Sequence, residues 1–177
     1  MLLSNYVIIS LLSIYLYLKS GNLYNKVVER KVIFMKLNNL LNQQVANLIT
    51  FFVKLHNYHW YIVGDKFFEL HEKFEEIYDE VNELYDEVAE RMLMLDMNPV
   101  ATLKESLALT TIKEATGKEN AKEMTQKILD DLVQLNDEFG QVLEAAEDAG
   151  DDITVDLFTA PRASFQKHIW MLKAYLK

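Results

Sequence analysis

The chain has 177 residues, enough for one domain with a single sizeable core, and half of them are apolar while a quarter are charged. Five glycines, two prolines and no cysteine favour an all-helical fold and exclude disulfide scaffolds and thiolate zinc sites. The net charge of −9 disfavours binding to the phosphate backbone of nucleic acids and would attract cations.

The first 34 residues differ in character from the rest of the chain. Residues 1–18 carry no charge, and their length is at the lower limit for a membrane-spanning helix. Two interpretations remain open. In the one we favour, residues 1–34 are not part of the native protein, which starts at Met35, or they form a flexible N-terminal extension. In the other, residues 1–18 anchor the chain in a membrane, and the basic residues that follow hold the next domain on the cytoplasmic side.

Apolar residues at steps of three and four predict a series of helices from Lys36 onward. Gly64 ends the first helix, and Asn98-Pro99 ends the second. The predicted helices cover residues 36–64, 67–94, 102–109, 118–149 and 155–175. Four of them are long, and the short one lies in the link between the second and third long helices. This arrangement predicts a ferritin-like four-helix bundle over residues 35–177, with a short extra helix in its long crossover.

The second helix carries two pairs of metal-ligating residue types. His71 and Glu75 are four residues apart, and so are Asp86 and Glu90. At 100° per residue all four lie within about 100° of one another on one face. His71 and Glu90 are nevertheless roughly 28 Å apart along a straight helix, too far to share one ion. Either each pair serves a site of its own, or two copies of the chain meet.

A second copy of the chain fits the spacing of these residues. Suppose that the second helix lies antiparallel to the same helix of another chain, with the two-fold axis between Glu80 and Val81. The residue numbers of two facing positions then add up to 161. His71 therefore faces Glu90, and Glu75 faces Asp86. His59, at the end of the first helix, could complete the set. The alternative is an ordinary packed helix with a solvated acidic face, in which such pairs arise by chance.

Two segments of this region resemble the Dps family, the DNA-binding proteins from starved cells, a mini-ferritin branch. The first is "HWYIVGDKFFELHEKFE", which contains His59-Trp60, Gly64, Leu70-His71 and Glu75, and the second is "YDEVAER", which contains Asp86 and Glu90. The C-terminal "WMLKAYL" is similar to the family's last helix. The resemblance extends from Met35 to Lys177.

The resemblance implies a cytoplasmic protein of the oxidative stress response. It implies a dodecameric shell, built from two-fold dimers, that oxidises Fe(II) with hydrogen peroxide or dioxygen and stores Fe(III) mineral. The ferroxidase centre would take His59, His71 and Glu75 from one chain, and Asp86 and Glu90 from the other. The family commonly has Asp where this chain has Glu75, a change that keeps the charge but lengthens the side chain. Two rival hypotheses are a storage shell without ferroxidase activity and a membrane-tethered helical interaction protein.

Several further residues have two interpretations each. Trp60 is either an electron donor that quenches radicals beside the iron or a simple core aromatic residue. Three aspartates at four-residue steps either line a pore that admits iron or cap and solvate a helix junction: Asp148, Asp152 and Asp156. His56 is expected near the centre, either as an extra ligand or, in the interpretation we favour, as a neighbouring or surface residue that does not bind the metal. His168 is expected to be structural. We expect no appreciable DNA binding, because from Met35 onward only one basic residue, Lys36, precedes the first helix. We also expect no stable membrane partner.

Overall fold

The chain folds into five α-helices in a computed structural model that describes the backbone of residues 2–177 and the solvent exposure of residue 21 and residues 24–177. Their bounds are α1 Leu2–Tyr61, α2 Phe67–Met94, α3 Leu103–Leu109, α4 Ala121–Ala149 and α5 Asp152–Tyr175. No strand is present among residues 2–177. The predicted all-α fold, with a short helix in the crossover between the second and third long helices, is confirmed.

The chain divides into two compact units, Met1–Lys36 and Leu37–Lys177. In the first unit, most of the described side chains are exposed, among them Tyr24 and Val32. No described helix is both long enough and apolar enough to cross a membrane. The proposed membrane-prone segment, residues 1–18, lies outside the residues whose side chains are described, and the interpretation of residues 1–34 stays a prediction.

Four helix starts differ from the sequence prediction, of which that of α3, at Leu103, differs by one residue and that of α5, at Asp152, by three. Helix α1 begins at Leu2 rather than at Lys36, and the preceding stretch contains no proline and a single glycine, Gly21, to interrupt it. Helix α4 begins at Ala121 rather than at residue 118. There, the Asn120 side chain accepts from the backbone N–H of Glu123 while the Glu123 carboxylate accepts from that of Asn120. This reciprocal cap fixes the first turn of α4.

The core of the second unit is formed by apolar faces of α1, α2, α4 and α5. On α2 the buried residues recur every three or four positions, as the sequence predicts: Leu70, Phe74, Ile77, Val81, Leu84, Val88 and Met92. This spacing directs one face of α2 into the core and leaves its acidic face exposed. The exposed face of α2 therefore carries the carboxylates that a metal or a second chain could meet.

Asn47, fully buried on α1, ties the crossover to the bundle. Its side-chain oxygen accepts from the Thr111 backbone N–H at 2.8 Å and from the Thr110 hydroxyl at 2.9 Å. Its amide nitrogen donates to the Glu138 carboxylate of α4 at 2.7 Å. One side chain thus bonds to two other parts of the chain, and the crossover after α3 is held against α1 and α4.

A buried ion pair joins α1 to α4. The Lys54 ammonium lies 2.5 Å from the Asp131 carboxylate, and both residues are almost completely buried. Desolvation raises the pKa of Asp131, although Lys54 acts in the opposite direction. Each charge therefore depends on the other, because an isolated charge at this depth would lose its hydration without compensation.

We expect Lys54→Met to destabilise the protein by about 3–5 kcal/mol, because it leaves the Asp131 carboxylate buried without a partner. The double variant Lys54→Met/Asp131→Leu should recover most of this loss, since both charges are then absent. Urea unfolding at fixed protein concentration measures both variants. A single variant as stable as the wild type, or a double variant no more stable than the single one, would contradict this expectation.

Candidate metal centre

A five-residue turn, residues 62–66, joins α1 to α2. Gly64 has a φ of +110°, a conformation that side-chain-bearing residues rarely adopt, and the backbone N–H of Phe67 donates to its carbonyl at 3.2 Å. The turn brings the last residues of α1 beside the first turns of α2. Two histidines that are twelve positions apart, His59 and His71, consequently face each other.

The two histidines form reciprocal hydrogen bonds with each other's backbone. His59 Nδ1 donates to the carbonyl oxygen of His71 at 2.9 Å, and His71 Nδ1 donates to that of His59 at 2.8 Å. The rings stack with centroids 3.6 Å apart and planes 18° from parallel. A carbonyl oxygen only accepts, so the hydrogen of each neutral ring lies on Nδ1. Each Nε2 is then left with a lone pair for a metal.

Glu75, one turn after His71, completes a three-residue cluster. One ligand atom from each of His59, His71 and Glu75 lies within 4.8 Å of the other two. Metal–ligand bonds of about 2.0–2.2 Å allow ligand atoms at most roughly 4.4 Å apart, so a small closure would bring all three onto one ion. Two imidazoles and a carboxylate suit first-row divalent metals such as Fe(II). His59 is buried and Glu75 is exposed, so the cluster opens toward the surface.

Asp86 and Glu90 do not join this cluster within one chain. Both are exposed on α2, and Asp86 is eleven residues beyond Glu75, roughly 17 Å along the helix. The three clustered ligands and these two carboxylates therefore form two separate groups on the same helix. Whether the two groups meet depends on a second chain.

Aromatic rings surround the histidine pair. Phe67 stacks on His71 with centroids 4.9 Å apart, and Tyr78 meets His59 edge-on at 5.3 Å and 90°. Desolvation and the nearby charges of Glu75 and Asp79 raise the pKa of Tyr78. Tyr78 is not among the site residues predicted from the sequence, although its position seven residues after His71 and three after Glu75 puts it on the ligand-bearing face.

Trp60 and His56 lie on the outer side of Tyr78. The His56 ring stacks on Tyr78 at 3.9 Å, and Trp60 packs edge-on against His56 at 5.3 Å. His56 Nδ1 donates to the Phe52 carbonyl at 3.0 Å, and His56 is not among the three clustered ligands. Trp60 is 67% exposed, so the interpretation of Trp60 as a core residue of the bundle is wrong.

His168 is buried and pairs with an acidic residue that the sequence did not associate with it. Its Nε2 lies 2.9 Å from the Glu80 carboxylate, which also accepts from the Ser164 hydroxyl at 3.0 Å. Because an ionised carboxylate only accepts, the ring hydrogen of neutral His168 lies on Nε2, opposite to that of His59 and His71. His168 therefore joins α5 to α2.

The three aspartates of the α4–α5 junction, Asp148, Asp152 and Asp156, are all exposed. The cap of α5 is a different residue, Asp151, whose side chain accepts from the backbone N–H of Thr154 at 3.1 Å. The capping part of the alternative is therefore wrong for these three residues, whereas their exposure agrees with its other part, a solvated helix junction. Their role in a pore stays a prediction.

Comparison with known proteins assigns the family. The ferritin-like domain model matches residues 38–177. General stress protein 20U of Bacillus subtilis is 47% identical over 136 residues, which cover 77% of this chain and 94% of that protein. The DNA protection during starvation protein of Brevibacillus brevis is 47% identical over 138 residues, or 78% of this chain and 93% of its own. The chain belongs to the Dps family of ferritin-like proteins.

Solved Dps structures agree with this assignment. A crystal structure of a Dps protein from Bacillus brevis matches with a TM-score of 0.80 and 45% identity, over 82% of this chain and 98% of that chain. A Listeria innocua Dps soaked with zinc matches with a TM-score of 0.76 and 44% identity, over 79% and 95% of the two chains. As the Dps family is an iron-storage family, iron is the metal that membership implies for the clustered histidines and carboxylate.

The reciprocal hydrogen bonds predict the tautomer of each histidine. In metal-free, ¹⁵N-histidine-labelled protein, the neutral rings of His59 and His71 should carry hydrogen on Nδ1 and that of His168 on Nε2. Solid-state ¹⁵N NMR distinguishes the two forms, and single histidine variants assign the signals. His168 is the internal control, because its expected tautomer is the opposite one. Hydrogen on Nε2 of His59 or His71 would contradict the geometry.

Proposed function

We propose that this protein is a ferroxidase and iron store that oxidises Fe(II) at a centre shared between two chains of a dodecameric shell. The observation that carries the proposal is the convergence of His59, His71 and Glu75, with both histidine Nε2 atoms free to bind. Membership in the Dps family supports iron as the substrate and the shell as the form in which the mineral is held.

Asp86 and Glu90 of a second chain supply the remaining ligands in this proposal. Their exposure on α2 leaves them free to meet a neighbour, and the antiparallel pairing puts His71 opposite Glu90 and Glu75 opposite Asp86. A dimer then carries two equivalent centres, each with two imidazoles and three carboxylates. Neither centre is complete in one chain, so oxidation requires assembly.

The ligand set favours oxidation of the bound metal. Carboxylate oxygens are hard ligands that stabilise Fe(III) more than Fe(II), while the imidazoles retain affinity for Fe(II). With hydrogen peroxide as oxidant, two Fe(II) and one peroxide, with two protons, give two Fe(III) and two molecules of water. Both electrons of this step come from iron, so the reaction removes peroxide and iron together and protects against oxidative damage.

The acidic character of the chain suits iron uptake and disfavours DNA binding. The net charge of −9 attracts Fe(II), and the exposed Asp148, Asp152 and Asp156 are the residues proposed to line its entry. The same charge repels the phosphate backbone of DNA. In this proposal the protein therefore protects the cell by removing iron and peroxide, without appreciable binding to DNA and without a membrane partner.

We expect two inactive variants to complement each other. His59→Ala/His71→Ala lacks the imidazoles, Asp86→Ala/Glu90→Ala lacks the partner carboxylates, and each alone should lose Fe(II) oxidation. A mixed dimer contains one complete centre out of two, so co-assembly with random pairing should restore about a quarter of the wild-type centres. Peroxide-dependent Fe(II) oxidation, followed by absorbance at low iron, measures the recovery.

A matched control separates loss of ligands from loss of acidic charge. Glu83→Ala/Glu87→Ala removes two exposed carboxylates from the same helix and should oxidise Fe(II) at the wild-type rate. No recovery in the mixed assembly, despite correct co-assembly, would refute the shared centre. Full activity of Asp86→Ala/Glu90→Ala alone would refute the role of these two carboxylates.

Native mass spectrometry should find twelve chains per particle and, after anaerobic loading, about two Fe(II) per chain, because each two-electron reduction of peroxide requires two metal ions.

Zinc added in excess should displace Fe(II) and block oxidation, since the same imidazole and carboxylate donors bind zinc. Iron uptake with no oxidation on addition of peroxide would favour the storage shell without ferroxidase activity. Monomers that sediment with membranes would favour the tethered interaction protein.

A further inference from the structure

A cavity of about 240 Å³ lies between α1 and the crossover that contains α3. Its wall includes five apolar side chains, two from α1, two from α3 and one from the segment after α3: Ile49, Val53, Leu103, Leu107 and Ala115. Val53, Leu103 and Leu107 are each more than half exposed in the single chain. A dry cavity of about 150 Å³ with apolar walls holds benzene, so this cavity has room for one ring with a substituent.

Two polar residues of the wall have unused hydrogen-bonding capacity. The Asn57 Oδ1 atom is buried and has no hydrogen-bond partner among the described residues. Lys54 is 3% exposed, and Asp131 is its only partner in the same part of the chain, so two of its three ammonium hydrogens are unused. Asn57 follows Lys54 by three residues, which puts both side chains on one face of α1. A molecule that donates to Asn57 and accepts from Lys54 would satisfy both groups.

The charges around the cavity disfavour ionic ligands. The Lys54 ammonium repels a cation, while its partner Asp131 and the exposed Glu114 of the wall repel an anion. Two hydroxyls of the wall, those of Thr50 and Ser106, already donate to the backbone carbonyl four residues earlier. The wall therefore suits a neutral molecule with an apolar body and a single group that both donates and accepts.

We propose that this cavity is a binding site for a small neutral phenol. The ring lies against the apolar wall, and the hydroxyl donates to Asn57 Oδ1 and accepts from the Lys54 ammonium. A hydroxyl combines both functions in one atom, whereas a ketone or an ether only accepts. A ring also loses fewer rotatable bonds on binding than an alkyl chain of the same size. The wall shares no residue with the metal ligands, and the site does not depend on iron oxidation.

The test measures binding of p-cresol to the assembled, metal-free protein, with toluene as the same molecule without its hydroxyl. Ligand-observed NMR titrations give the dissociation constants, and a crystal soaked with p-cresol locates the bound molecule. Asn57→Leu removes the acceptor and keeps the size of the side chain. Asn136→Leu is the matched control, because Asn136 on α4 also has a buried Oδ1 without a described partner but does not line the cavity.

We expect the wild type and Asn136→Leu to bind p-cresol with the same dissociation constant. Asn57→Leu should bind it about tenfold more weakly, because one hydrogen bond is lost. Toluene, although more apolar, should bind the wild type several-fold more weakly than p-cresol, since it leaves both polar groups without a partner. Equal affinities of the wild type for p-cresol and toluene would overturn the inference, and so would an unchanged affinity of Asn57→Leu for p-cresol.

A substitution that fills the cavity gives an independent measurement. Ala115→Leu adds apolar volume at the wall, removes neither polar group and should abolish p-cresol binding. Circular dichroism and native mass spectrometry establish the fold and assembly of each variant, and the comparison of p-cresol with toluene in the wild type needs no variant. A neighbouring chain that fills the cavity in the crystal of the assembled protein would overturn the inference, as would p-cresol density elsewhere with this cavity empty.

The failure of this inference is distinguishable from the failure of the proposed function. A wild type that oxidises Fe(II) with peroxide but does not bind p-cresol refutes the phenol site alone. A wild type that binds p-cresol at this cavity but does not oxidise Fe(II) refutes the ferroxidase proposal alone.

Discussion

The reciprocal hydrogen bonds between His59 and His71 are the constraint on which the candidate centre depends. Each ring donates from Nδ1 to the other residue's backbone carbonyl, so each ring is fixed by the helix that carries its neighbour. The pairing requires the end of α1 and the start of α2 to lie side by side, which the turn at Gly64 permits through its positive φ. Ring orientation, tautomer and helix geometry are therefore set together.

This arrangement prepares a ligand set before any metal arrives. Both Nδ1 atoms are already occupied, so no rearrangement of hydrogen is needed for each Nε2 to bind. Glu75 is exposed and can adjust its position when an ion enters, whereas His59 is buried and held. The candidate centre thus combines two nitrogen donors held by hydrogen bonds with one exposed oxygen donor.

The proposed shared centre accounts for the exposed residues around the histidine pair. Asp86 and Glu90 belong to the same helix as His71 and Glu75 but are too distant along it to reach the same ion. Trp60 and Phe68, at the end of α1 and the start of α2, are largely exposed in the single chain. A surface of this kind, with apolar residues beside unused ligands, is what a second copy of the chain would cover.

Aromatic side chains of α2 pack against the histidine pair. Phe67 on one side and Tyr78 on the other hold the stacked rings. The position of Tyr78 on the ligand-bearing face of α2 follows from the same helical spacing as the ligands themselves.

Much of the fold and part of the centre could be predicted from the sequence, because helical periodicity is local. The seven buried residues of α2, the short helix in the crossover and the common face of His71 and Glu75 all follow from 3.6 residues per turn. The exposure of Trp60, the Lys54–Asp131 pair and the contact of Tyr78 with His59 did not follow. These features join residues on different helices, or depend on what covers a face, so only the packing of the helices decided them. The sequence determined which side chains share a helix face, and the tertiary structure determined which of them touch.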